Sequence, residues 1–135
     1  MDVVVAALRS PKGGSAALLR LLDRGHGTML LSAALLFEYE ATCQLPEHRP
    51  ASGLGAEEVG IFLDALVDLA EPVETWFRWR PQLRNPGDEM VLEAAVNGRA
   101  DALVTFNRRD YGAAPEGFGI EVLSPGEALR RMWHP

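Results

Sequence analysis

Three short apolar runs, TMLLS, ALVTF and GIEVL, are separated by stretches whose apolar residues recur at helical spacing. That alternation constrains the fold more than any other feature of the chain. Such runs suit a strand and are too short for a helix. TMLLS and ALVTF read as buried strands and GIEVL as a last strand, and short buried strands alternating with helices imply a parallel sheet covered on both faces. The expectation is an α/β domain with a mainly parallel sheet covered on both sides. In sheets of that kind ligands gather beyond the carboxyl ends of the strands.

The remaining elements follow from punctuation. SPKGGS is a turn, and the stretch from Ser15 to Asp23 reads as a helix with Ala17, Leu18, Leu21 and Leu22 on one face, ended by Gly25 and Gly27. Ser32 is placed to cap AALLFEYEATC, which stops before Pro46. Val59, Phe62, Leu63, Leu66 and Leu69 mark an amphipathic helix over AEEVGIFLDALVDLA, after which EPVETW is extended. Asn85-Pro86 is a helix start with Asn85 as cap, and that helix ends at Asn97-Gly98. NRRDYGAAPEGF reads as loop, and SPGEALRRM as a closing helix capped by Ser124. The opening run Val3 to Leu8 is ambiguous, because β-branched propensity favours a strand.

With 135 residues, 47% of them hydrophobic, the chain can bury the core of a single domain spanning residues 1–135. The longest apolar stretches are too short to span a bilayer, and no basic region precedes the first, so neither a membrane span nor a signal peptide is expected. Cys43 is the sole cysteine, which rules out an internal disulfide and fits a cytoplasmic protein. A net charge of −6 argues against binding nucleic acid through bulk positive charge, though not against meeting phosphate through a metal ion.

Carboxylates converge on the predicted carboxyl edge. Glu38 lies on the helix after TMLLS, Asp88 in the first turn of the helix begun by Asn85, and Asn107 and Asp110 directly after ALVTF. Singly, each has an ordinary account: a solvated acid beside Glu40, a charge complementing a helix N-terminus, a turn residue. Gathered, they would repel one another unless a cation compensated. Oxygen ligands select a hard ion, Mg²⁺ or Mn²⁺. His26, His48 and His134 show no ligand spacing for zinc.

The chain resembles the PIN-domain ribonucleases, in particular the branch of toxin components of bacterial toxin–antitoxin systems. Its most specific part is WRPQLRNPGDEMVLEAAVNGRADALVTFNRRDY, Trp79 to Tyr111; VVVAALRSPKGGSAALLRLL, LLSAALLFEYEATC and GIEVLSPGEAL add to it. The resemblance implies a three-layer α/β/α sandwich, acidic residues binding Mg²⁺ or Mn²⁺, hydrolysis of single-stranded RNA, and a cognate antitoxin; relatives commonly dimerise. It makes Glu38, Asp88 and Asp110 the catalytic acids, with Asn107 where an aspartate is common. Asn85 and Gly87 also stand where relatives carry aspartates. It makes Val3 to Leu8 the first helix, which is the reading adopted.

The family's first acid belongs to an Asp-Thr-Asn or Asp-Thr-Asp triplet. Alignment puts Asp2 on its third position, so the first aspartate would fall immediately before Met1, preceded by a central strand. The expectation is a chain truncated at its N-terminus relative to the family; were it complete, Asp2 would be the candidate for the vacant metal-ligand role. Arg108 and Arg109 are candidates for RNA phosphate contact. Trp76, Phe77 and Trp79 with Arg78, Arg80 and Arg84 could stack on bases, anchor a protein partner, or close over the core. The leading expectation is a metal-dependent endoribonuclease toxin, and the alternative a non-catalytic PIN-like module binding protein or RNA.

Overall fold

The computed structural model describes residues 2–10, 12–45, 55–75, 83 and 85–132. The first helix, α1 (Asp2–Arg9), forms despite three consecutive valines. Val3, Val4, Ala7 and Leu8 are its buried residues, a one-sided stripe of helical and not strand period. Burial of that stripe outweighs the few tenths of a kcal/mol by which each valine disfavours a helix, about 0.5. Helix α2 (Gly14–Asp23) packs on α1 and buries Ser15, Ala16, Leu18 and Leu21, so the inward face includes Ala16 in place of the expected Ala17. It closes with Gly25 at φ +84°, where the Gly25 N–H donates to the Leu22 carbonyl and the His26 N–H to the Leu21 carbonyl. That pair of bonds is the left-handed helix stop glycine permits at no steric cost.

Strand β1 (Met29–Ser32) runs into α3 (Ala33–Cys43), and the chain returns through α4 (Ala56–Leu69) to β2 (Ala70–Val73). β1 and β2 are parallel, with Met29 opposite Ala70 and Ser32 opposite Val73. Pro72, which has no N–H to donate, fits β2 as an edge strand. Then come α5 (Pro86–Asn97), β3 (Ala102–Val104), a 3₁₀ turn (Arg108–Asp110), the one-turn α6 (Ala114–Gly117), β4 (Glu121–Leu123) and α7 (Pro125–Met132). The stretch expected as loop after β3 therefore holds two short helical turns. β3 and β4 pair in parallel, Ala102 opposite Glu121 and Val104 opposite Leu123. The result is mixed α/β, mostly helical with short parallel strands, in keeping with the expected fold class.

One feature departs from a continuous sheet. Among the described residues the strands form two pairs, β1–β2 and β3–β4, with no pairing between them. Two helices tie the pairs together. In α1, Val4 joins the apolar cluster of Leu31, Leu35 and Leu66, while Val3 joins that of Leu18, Leu123 and Ala128. In α5, Ala94 belongs to the first cluster, and Leu92 and Ala95 to a third with Leu103, Tyr111 and Ile120. Cys43 is fully buried in the first cluster, and burial pushes its thiol above the ordinary range, so it serves as a small apolar core residue.

Candidate active site

Three local starts carry the candidate residues: those of α3, of α5 and of the turn after β3. Ser32 ends β1, and its Oγ accepts the Leu35 N–H at 3.1 Å, which starts α3 in a fixed direction. Glu38 lies on that helix, half-buried, between buried Tyr39 and the neighbouring turn; Glu40 is exposed. Asn85 Oδ1 accepts the N–H groups of Gly87 at 2.8 Å and Asp88 at 3.2 Å, and Pro86 supplies the first helical residue of α5. Asp88 thus occupies the third helical position, where the unsatisfied N–H groups favour a carboxylate.

After β3, Thr105 is buried and its Oγ1 accepts the Asn107 N–H at 3.1 Å; the Asn107 carbonyl accepts the Asp110 N–H at 3.1 Å. These bonds set the turn that carries Asp110, itself exposed. Next along, Tyr111 is 2% exposed and its Oη donates to Asp88 Oδ1 at 3.3 Å. The phenol links the start of α5 to the turn after β3, so Asp88 and the turn carrying Asp110 are brought together. Asp2 opens α1, whose Val3 joins the apolar cluster that holds Leu123 of β4 and whose Val4 joins the one that holds Leu31 of β1.

Glu38 is carried by α3, which packs on α5. Among the described residues, however, no three or more His, Cys, Asp or Glu side chains are grouped closely enough to hold a metal ion. The donor chemistry of Glu38, Asp88, Asn107 and Asp110 suits a hard cation, but their spacing in this arrangement does not make a closed ligand set. The two arginines also differ. Arg108 forms an ion pair with Glu127 of α7, whose Oε1 also accepts the Ser124 N–H at 3.0 Å. That contact competes with the phosphate role expected for Arg108. Arg109 is exposed on the same turn. The aromatic and arginine cluster Trp76 to Arg80, with Arg84, lies outside the described residues.

Three buried polar residues on or next to these elements were not singled out from sequence. Tyr111 was hidden because its partner is 23 positions away. Glu89 and Glu93 are 3% and 5% exposed, and Glu89 Oε1 accepts the Leu83 N–H, tethering the segment that leads into α5. Their spacing of four, which puts both on one helix face, was the available signal.

Among the described residues no helix is long and apolar enough to cross a membrane. No curated protein and no solved structure matches the chain. The family model of the PIN domain matches residues 1–109, which runs from α1 through β3 into the turn bearing Asn107. That match covers well over half of the chain, and the chain belongs to the PIN domain family.

Proposed function

We propose that this PIN domain is a metal-dependent endoribonuclease that cuts single-stranded RNA in the cytoplasm as the toxin of a toxin–antitoxin pair, forming a homodimer and held in check by its antitoxin. The observation that carries the nuclease reading is the Tyr111–Asp88 bond, which holds a carboxylate at the N-terminus of α5 beside the turn carrying Asn107 and Asp110. In this reading Glu38, Asp88 and Asp110 are the catalytic acids, and with Asn107 they are the ligands for Mg²⁺ or Mn²⁺; Asp2 is a further candidate. Such an ion, when bound, supplies a water of lowered pKa. The work of the chain itself is placement. Tyr111 orients Asp88, the Thr105–Asn107 bond orients the turn, and Arg109 is the cation available to a phosphate, since Arg108 is engaged by Glu127.

The test is cleavage of a single-stranded RNA with Mg²⁺ or Mn²⁺, with and without EDTA. Cleavage that stops on chelation supports the reading, and robust cleavage in EDTA overturns it. Growth arrest on expression, relieved by a co-expressed neighbouring gene, tests the toxin role. A second reading, a non-catalytic module binding RNA or protein, is favoured by the absence of a three-carboxylate cluster among the described residues and by Asn85, Gly87 and Asn107 at acid positions. A folded chain that binds RNA and never cuts it would select that reading.

A further inference from the structure

Among the described residues two phenylalanines are exposed, Phe37 at 67% and Phe106 at 55%. A single apolar side chain on a surface is ordinary, so exposure alone decides nothing. Place and support distinguish Phe106. Phe37 lies within α3, which leads away from the end of β1, whereas Phe106 stands just beyond β3 and directly before Asn107. Residues 106–110 are all exposed, between buried Thr105 and buried Tyr111, and Phe106 is the one apolar side chain among them.

The chain is hydrogen-bonded on both sides of this ring. The Thr105 N–H donates to the Leu123 carbonyl at 2.9 Å, which extends the β3–β4 pairing by one residue. Thr105 Oγ1 in turn accepts the Asn107 N–H at 3.1 Å. With the backbone fixed, only the two side-chain torsions of Phe106 remain to be ordered when a flat ligand lies on it.

Charge narrows what that ligand can gain here. The chain carries a net −6. Residues 106–110 hold two arginines against Asp110, a balance of +1, and Glu127 engages Arg108. Little is left for phosphate neutralisation, the usual source of affinity for nucleic acid. The face of an unpaired base offers another source, because stacking on an aromatic ring needs no charge. We infer that Phe106 is a base-stacking platform, which takes the face of a nucleobase beside the phosphate presented to Asn107 and Asp110. In a duplex both faces of each base are covered by neighbours, so this ring selects single strands. The inference rests on the proposed RNA substrate for its ligand and is independent of cleavage.

The probe is a fluorescein-labelled single-stranded uridine oligomer of about 12 nucleotides, beside an oligomer with the same number of phosphates and no bases. Anisotropy gives the affinity of the whole chain over a range of salt, in EDTA and again with Ca²⁺, and melting midpoints verify that each variant is folded. Phe106→Ala is expected to weaken uridine-oligomer binding by about 5- to 150-fold without altering the slope of affinity against salt. Phe106→Trp should retain the affinity. Ile61→Ala, which removes an exposed apolar side chain of α4, should leave it unchanged. On the base-free oligomer the parent and Phe106→Ala should bind alike. Equal binding of the uridine oligomer by the parent and Phe106→Ala, or a loss of the same size on the base-free one, would overturn the inference. Cleavage is scored separately with Mn²⁺: RNA held through Phe106 and never cut would support the platform while selecting the non-catalytic reading.

Discussion

Gly98 closes α5 at φ −87° and ψ −2°, a conformation open to non-glycine residues. Its value is therefore room and not backbone freedom. A Cβ there would lie 2.6 Å from Leu30 Cδ1, 2.9 Å from Val73 Cγ2 and 3.0 Å from the Ala94 carbonyl oxygen. Those atoms belong to β1, β2 and α5 itself, so the helix end lies directly on the first strand pair. In Gly98→Ala two effects oppose one another. Alanine restricts the unfolded chain and stabilises by about 0.4–1 kcal/mol, while overpacking costs about 1–3 kcal/mol. Leu30 can swing its end into the cavity it lines, but Val73 is stiff about χ1 and the Ala94 oxygen is backbone. Overpacking wins, with a net loss of about 1–2 kcal/mol and a melting midpoint lower by about 3–8 °C. The assay is urea and thermal denaturation of Gly98→Ala, Leu30→Ala and the double variant. Removing Leu30 Cδ1 relieves the shortest contact, so the cost of the alanine should shrink by at least about 0.5 kcal/mol in that background. A Gly98→Ala protein that melts higher, or that loses the same stability in both backgrounds, would refute the close-approach explanation.

Asp88→Asn keeps an oxygen for Tyr111 Oη but removes the charge at the start of α5, which is worth about 0.3–1 kcal/mol. The midpoint should fall by only a few degrees while metal-dependent RNA cleavage is lost; full activity would remove Asp88 from the proposed site. Ser32→Ala leaves the Leu35 N–H without its cap and should cost about 0.5–2 kcal/mol in urea denaturation, whereas Ser32→Thr should retain most of it. Arg131, by hydrogen bonding and then by its charge, holds the Glu121 carboxyl below the usual glutamate range. The folded state therefore binds that proton less readily than the unfolded chain. The resulting stabilisation is present above the unfolded pKa of about 4.3 and is lost as pH falls through the depressed folded value. Glu121→Gln should be slightly less stable than the parent at pH 7, with a gap that narrows as pH falls below about 4; a gap of the same size at every pH at which both proteins fold would refute the pairing.

The local sequence determined much of the fold because the contacts responsible are local. The span of α3, the Ser32 cap, the Asn85-Pro86 start and the stop after Asn97 depend on groups within a few residues of one another. Apolar periodicity likewise marked Val59, Leu63 and Leu66 as the buried face of α4. Propensity alone misread α1, because the valine preference for strands is smaller than the gain from burying Val3, Val4, Ala7 and Leu8 on one stripe. The carboxyl edge as the place to look followed from the order of strands and helices. Which side chains meet there did not. The Tyr111–Asp88 bond spans 23 positions and the Arg108–Glu127 pair 19, and no periodic pattern encodes either. The division of the strands into two pairs is likewise tertiary: each strand's composition specifies burial, but its partners are set by the helices that pack across it, here α1 and α5 with one face on each pair.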